Sequence, residues 1–314
     1  MSPGRHVAIA IVGYRNPGDI LRCLDRLAAS EHADFSVLIC ENGGPAACDG
    51  LRACLPMRLP GGQPVTLIDG GDNPGYAAGV NHCLAHSPHA DAWWILNPDT
   101  EPAPAALGAL LRRLARGDCD IVGGVIADGA GAIGSCGARW QPWLARAATL
   151  RHGGTADAMT DNPAGTTRME ARVSFVSGAS MIVSRRFLET TGPMRTDYFL
   201  YAEEVEWCLR GTARGMRIGL APDAHVLHRH GTTTGSAHAH RHRPALPVFL
   251  DQRNRILVLR DRFPTHLPIV APLCLVATLL RYLRRGALRQ CGYVVAGWLA
   301  GLRNERGRPR WCSD

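Results

Sequence analysis

The chain has 314 residues, with 35 basic side chains against 27 acidic ones and a formal net charge of +8. All 35 basic residues are Arg, so neither a Schiff-base lysine nor a P-loop lysine is available. An apolar fraction of 46% excludes wholesale disorder, and the length suits one large domain or two smaller ones.

His6–Val12 is a short β-branched run ending at Gly13 and predicts a buried parallel strand. Pro17–Ala29 follows as a helix, with Ile20, Leu21, Leu24 and Leu27 at helical spacing and Pro17 in the tolerated first turn. Phe35–Cys40, Val65–Ile68, Trp93–Leu96 and Asp120–Ile126 predict further strands, and Tyr76–His86 and Pro104–Leu114 predict helices. This alternation implies an α/β fold around a mostly parallel sheet, in which ligands bind beyond the carboxyl ends of the strands. Polar clusters follow four of the strands: Tyr14-Arg15-Asn16, Glu41-Asn42-Gly43, Asp69 to Asn73, and Asn97-Pro98-Asp99. Such residues also make turns, but four clusters in register point to a nucleotide site.

Residues 127–170, rich in Gly, Ala and Thr, predict an irregular excursion with a hairpin. Val173–Val183 is apolar around Gly178, which suggests close approach of a ligand there. Ala202–Arg214 predicts a helix, and a strand pair is expected around Ile218 and Val226. Leu246–Arg262, His266–Arg285 and Leu288–Arg303 predict three more helices. The patch AHAHRHR, with His238, His240 and His242, lacks the supporting carboxylates of a metal site and is expected to be a mobile loop.

The charge is uneven. Residues 1–235 carry 21 Arg against 23 acids, whereas residues 236–314 carry 14 Arg against 4 acids and are +10. A basic tail suits anionic lipid or nucleic acid. No aromatics interleave with these arginines, which argues against nucleic acid. Leu267–Leu280 has no charge over 14 residues, is broken by two prolines, and is followed by Arg281, Arg284 and Arg285. It is too short to predict a spanning helix and fits an interfacial one, or a helix buried in the core or a homodimer. Eleven scattered Cys without a C-x-x-C pair predict reduced cytosolic thiols. The start runs into a strand without a secretory pattern, so a cytoplasmic protein, peripheral at the inner membrane face, is expected.

Three segments carry chemistry. In ILNPDTEP, Asp99 follows a buried strand and suits a hard divalent ion, Mg²⁺ or Mn²⁺, although it could equally cap a helix. In YFLYAEEVEWCLR, Glu203, Glu204 and Glu206 crowd one helix start. The dipole favours acids there, and crowding raises a carboxyl pKa toward that of a general base. In HVLHRHG, His228 leaves a strand and could complete a metal site.

The ordered segments GYRNPGDILRCLDRL, CENGG, DNPGYAAGVN, LNPDTEP, SGASMIVSRRFLETTG, YAEEVEWCLR and APDAHVLHRHG resemble a family 2 glycosyltransferase over roughly residues 6–262. The rhamnosyltransferase-like and galactofuranosyltransferase-like enzymes of bacterial surface polysaccharide assembly are the most similar subgroup. The resemblance implies a GT-A catalytic domain over residues 1–235, a basic helical extension over 236–314, and inverting transfer from a nucleotide-sugar to a saccharide or lipid-linked acceptor. It puts the metal at Asp99 and His228 and the general base at Glu204. Tyr14, Glu41, Asn73, Asn81, Asn97, Asp99 and Arg210 are implied at the donor, with Glu203 and Trp207 on the acceptor side. TDP-rhamnose is the first donor expected from the subgroup; a silent sugar-nucleotide-binding scaffold is the alternative. Two departures from the pattern stand out: Asn97 replaces the family's first acidic ligand, which weakens the ion site, and the base is Glu rather than Asp.

Overall fold

A computed structural model describes residues 6–127, 133–150, 163–229 and 239–312. The strands are β1 (Val7–Gly13), β2 (Phe35–Glu41), β3 (Val65–Asp69), β4 (Ala92–Leu96), β5 (Thr100–Pro102), β6 (Ile121–Ala127), β7 (Ile133–Ser135), β8 (Ala138–Gln141), β9 (Arg146–Thr149), β10 (Ser180–Ser184) and β11 (Ile218–His228). The helices are α1 (Pro17–Ala28), α2 (Pro45–Arg52), α3 (Tyr76–His86), α4 (Ala106–Leu114), α5 (Pro163–Glu170), α6 (Arg185–Thr191), α7 (Glu203–Thr212), α8 (Ala245–Arg262), α9 (Leu267–Leu283) and α10 (Leu288–Leu302).

The main sheet runs β3-β2-β1-β4-β10-β6-β11-β5, with β7 on β6. β3, β2, β1 and β4 are parallel neighbours. β10 lies antiparallel between β4 and β6, so the parallel character expected of the sheet is confined to one half plus the β6–β11 pair. β10 follows the long excursion after β6 and re-enters the sheet in the reverse direction. The expected strand pair at Ile218 and Val226 is one strand whose register shifts between Leu220 and His225, where Pro222 interrupts the ladder. The expected hairpin in 127–170 is β8–β9. Short α2 and α5 carry too few apolar positions to show a stripe and escape a periodicity reading.

Both sheet faces are buried, which explains the continuous apolar strands. Val7, Ile9 and Ile11 pack with α1 and α4, while Ala8, Ala10 and Val12 pack with α3. Each fully buried Ile, Leu or Val stabilises the fold by about 1.5–3 kcal/mol. Eight of the eleven cysteines are buried, and burial pushes the Cys23, Cys40 and Cys208 thiols up to about 12, so they remain protonated and inert.

α8 joins the same core through Ile256, Leu257, Val258 and Leu259. α10 lies close against it at Gly297, where an added Cβ would come within 2.3 Å of the Phe249 carbonyl oxygen. α9 packs less completely. Ile269, Leu273, Val276, Leu280 and Leu283 recur at helical spacing and are exposed. The helical stretch Pro264–Leu283 is 20 residues long, apolar enough to cross a membrane, and only 28% buried over its most apolar window. In the histidine patch, His240–His242 form a 3₁₀ turn, and His238 lies outside the described residues.

Candidate active site

Strand register brings the polar clusters together. Gly13 pairs with Glu41 and Glu41 with Asp69, while Leu96 pairs with Ile11, so all four clusters leave the sheet on one side. After β4 the chain turns through Asn97-Pro98-Asp99 into β5, whose Thr100 pairs with His228 at the end of β11. That pairing sets Asp99 Oδ1 3.1 Å from His228 Nε2, with both side chains 11% exposed. The Tyr76 hydroxyl donates to Asn97 Oδ1 at 2.9 Å and to the Gly178 carbonyl at 3.1 Å.

Two donor atoms 3.1 Å apart can occupy neighbouring corners around an ion whose bonds are about 2.1 Å. Asp99 and His228 therefore fit a divalent ion as two ligands, with the other positions left to groups from outside this pair. Among the described residues there is no group of three or more His, Cys, Asp or Glu that could hold an ion without such help.

The carboxylates are presented by a strained turn. Phe199, Tyr201 and Ala202 adopt φ of 69°, 71° and 67° immediately before α7. Each left-handed non-glycine residue costs about 1–3 kcal/mol and persists only when its surroundings fix it. Asn254 Nδ2 supplies that restraint, donating to the carbonyls of Tyr198, Leu200 and Tyr201 at 3.1, 2.8 and 2.7 Å. Arg253 donates to the Tyr198 and Gly307 carbonyls. From the other side the Tyr76 amide donates to the Phe199 carbonyl at 2.8 Å. Gly75 permits this approach, because a Cβ there would lie 2.5 Å from that oxygen.

Glu203 and Glu204 open α7 from this turn. Glu203 is 4% exposed, and its Oε2 has no hydrogen-bond partner among the described residues. Burial, reinforced by the adjacent Glu204, pushes its carboxyl well above the usual range. Half-buried Glu204 is also pushed up by burial, against a partial opposing pull from the amides at the helix start. Burial and the charges of Glu203, Glu204 and Asp99 raise the Tyr76 hydroxyl, so it stays a donor.

The raised Glu203 pKa fixes a sign. The neutral acid is favoured in the folded state, so its stabilising contribution is complete at low pH and is lost as pH rises through the raised value. Glu203→Gln supplies a neutral isostere. It is expected to leave Tm nearly unchanged at about pH 5 and to raise it by a few degrees at about pH 8, measured by scanning calorimetry. An equal change at both pH values would contradict burial of an ionisable acid.

Glu204 lies at the wall of a cavity of about 360 Å³, lined also by Trp140, Phe175, Tyr201, Val248, Asn254 and Tyr282. A Cβ on Gly178 would rest 3.6 Å from Glu204 Cγ, so the approach at this glycine is made by the carboxylate side chain. The other sequence-derived positions divide into two groups. Tyr14 and Asn73 lie at the strand ends; the Tyr14 ring is 5.2 Å from the Arg15 guanidinium, and Asn73 has a φ of 50°. Glu41, 1% exposed, braces the neighbouring turns by accepting from the Arg15 and Gly43 amides. Asn81 clasps the Met194 main chain through both amide atoms. Arg210 binds Glu206 and the carbonyls of Thr191 and Pro193. Trp207 is fully buried edge-on to Phe187, and its indole donates to the Gly192 carbonyl. Asn81, Arg210 and Trp207 thus secure the scaffold around α7. Sequence reading missed Tyr76 and Asn254 as site residues. The available signals were a Tyr at the N-terminus of a helix behind the strand ends and an Asn inside an otherwise apolar helix face.

The chain is 29% identical over 267 residues to N-acetylglucosaminyl-diphospho-decaprenol L-rhamnosyltransferase of Mycobacterium tuberculosis, covering 78% of this chain and 84% of the relative. Its fold resembles a Pyrobaculum calidifontis mannosyltransferase solved with GDP-Man and Mn²⁺, at 17% identity, TM-score 0.57, and coverage of 97% and 89%. It also resembles GalNAc-T7 solved with UDP, GalNAc and Mn²⁺, at 12% identity, TM-score 0.62, and coverage of 83% and 48%. The architecture is GT-A, a mixed α/β fold with a central sheet flanked by helices. Residues 8–191 match the family model of Glycosyl transferase family 2, and this chain belongs to that family as a rhamnosyltransferase-like glycosyltransferase.

Proposed function

We propose that this glycosyltransferase inverts the anomeric centre of a nucleotide-sugar, TDP-rhamnose first among the candidates, while transferring the sugar to a hydroxyl of a lipid-linked saccharide. The observation carrying this reading is Glu204, a carboxyl raised toward neutrality by burial and fixed by the Asn254-clamped turn at the wall of the cavity. The acceptor class is inferred from the relative that acts on a diphospho-decaprenol saccharide.

In this reading the nucleotide-sugar lies across the strand ends by Tyr14, Glu41, Asn73 and Asn97. Asp99 and His228 would hold a divalent ion, which when bound neutralises charge on the departing diphosphate. Asn97 is held by the Tyr76 hydroxyl and is uncharged, leaving Asp99 as the acidic ligand. Glu204 accepts the proton of the acceptor hydroxyl as that oxygen attacks the anomeric carbon opposite the leaving group. The bond to the diphosphate breaks as the new glycosidic bond forms, a single displacement. Glu203 beside it is buried, with its carboxyl pushed well above the usual range, and Glu204 is the carboxyl facing the cavity.

A thermal-shift screen across TDP-, UDP- and GDP-sugars with and without Mn²⁺ tests this reading. One nucleotide-sugar is expected to stabilise the protein, more strongly with Mn²⁺, and His228→Ala should abolish most of the Mn²⁺-dependent part. No stabilisation by any nucleotide-sugar would refute donor binding, and an unchanged Mn²⁺ titration in His228→Ala would remove His228 from the ion site.

The exposed stripe on α9, flanked by Arg281, Arg284 and Arg285, is proposed to rest on an anionic membrane at its cytoplasmic face. Full-length protein is expected to float with vesicles containing phosphatidylglycerol. Leu273→Asp combined with Leu280→Asp, at two exposed sites, should abolish flotation while leaving Tm unchanged; persistent flotation would exclude this face.

A further inference from the structure

We propose that the turn joining β8 to β9 is a second membrane-contacting element, so that two contacts with an anionic bilayer flank the Glu204 cavity. The proposal rests on the α9 contact proposed above and extends it to a separate part of the chain. Pro142–Leu144 form a 3₁₀ turn at the hairpin tip, closed by Ala145 in the left-handed region at φ 46°. Turns in water favour Gly, Asn, Asp and Ser. This tip instead carries Trp143 and Leu144, 62% and 51% exposed. Single exposed apolar side chains are ordinary, whereas contiguous ones mark an interface. The Trp143 ring lies 4.3 Å from that of His266, and the turn packs against α9. His266 stands one turn before Ile269, and positions 266, 269, 273, 276, 280 and 283 recur at helical spacing on one face. Trp143 and Leu144 therefore sit at the head of the exposed stripe on α9.

Charge selects the occupant. Residues 138–149 and 264–289 hold Arg139, Arg146, Arg281, Arg284, Arg285 and Arg289 and no acid. Arg146 and Arg289 donate to neutral partners, the Gln141 and Tyr293 side chains. A two-fold dimer through this face would set the same patch against itself and bring like charges together. An anionic bilayer supplies opposite charge in its headgroups and apolar depth beneath them, and tryptophan is favoured at that boundary. Both elements also build the cavity: Trp140 and Ala147 line it from the hairpin, and Tyr282 lines it from α9. Contact through both holds the cavity at the membrane surface. A lipid-linked saccharide could then present its hydroxyl to Glu204 while its chain stays among the acyl tails.

The test mixes full-length protein with phosphatidylglycerol vesicles that carry some brominated acyl chains, reading flotation and tryptophan fluorescence. Bromine quenches an indole that enters the bilayer. The parent protein is expected to float and to be quenched. Trp143→Phe should still float but lose most of the quenching, whereas Trp311→Phe, at another exposed tryptophan, should keep it. Trp143→Ser combined with Leu144→Ser should weaken vesicle affinity at least about tenfold with Tm unchanged, since both side chains are exposed. Phosphatidylcholine vesicles should bind at least about tenfold more weakly than phosphatidylglycerol ones. Flotation with quenching unaltered in Trp143→Phe, or undiminished affinity in the double variant, overturns the hairpin contact and leaves the α9 contact standing. Equal binding to phosphatidylcholine overturns the match to an anionic surface. A dimer in sedimentation that the double variant breaks assigns the face to a second copy and overturns the proposal as well. Absence of flotation in the parent protein removes the α9 contact together with this one.

Discussion

Glu204→Gln is expected to lower turnover at least about a hundredfold, or roughly 2.7 kcal/mol of barrier, while donor affinity and Tm remain near those of the unsubstituted protein. The substitution preserves shape and removes the proton acceptor. Because burial raises the Glu204 carboxyl, the activity that remains in the parent protein should climb with pH through a value above the ordinary carboxylate range, as the base loses its proton. In Glu204→Gln that acid limb should disappear. Single-turnover kinetics across pH provides the measurement. Near-normal turnover, or an unchanged acid limb, would show that another group takes the proton, and the buried, adjacent Glu203 would not be the simple substitute because its carboxyl is more deeply enclosed.

Asn254→Leu is the second large effect. The side chain keeps its volume and loses the amide that satisfies the carbonyls of Tyr198, Leu200 and Tyr201. Unsatisfied buried groups cost about 1–3 kcal/mol each, and the left-handed residues Phe199, Tyr201 and Ala202 lose the restraint that holds them. A Tm decrease of about 4–6 °C is expected for a loss near 3 kcal/mol in a chain of this size. Turnover should fall at least tenfold at temperatures well below the transition, with donor affinity retained. Leu24→Ala, a core truncation on α1, provides the control because it removes comparable stability without touching the turn. If both variants lose turnover equally, Asn254 acts through global stability alone; if only Asn254→Leu does, it positions the base.

Much of the fold is legible in sequence because its local signals agree. β1, α1, β2, β3, α3, β4 and α4 follow from apolar runs, helical spacing and a first-turn proline, and the strand register then sets the polar clusters together. The antiparallel entry of β10 is not legible, because strand direction depends on where a long connection returns. Asp99 and His228 can be named from local pattern, and the β5–β11 pairing explains their meeting. Asn81, Arg210 and Trp207 show the limit of motif reading: in the structure, their side chains bind the main chain around α7. A motif marks a position as demanding without saying whether the demand comes from a ligand or from the scaffold. Asn254 is the converse, a polar residue in a helix far along the chain, with a role visible only once the Tyr198–Ala202 turn lies beneath it.

The clamp from α8 has a consequence for synthesis. The sheet and the carboxylates of α7 leave the ribosome before Asn254, and the Gly307 carbonyl that anchors Arg253 emerges later still. A partly made chain can therefore assemble its central sheet while the turn before α7 remains unfixed. Fixing of the turn before α7 therefore waits on docking of the C-terminal helices.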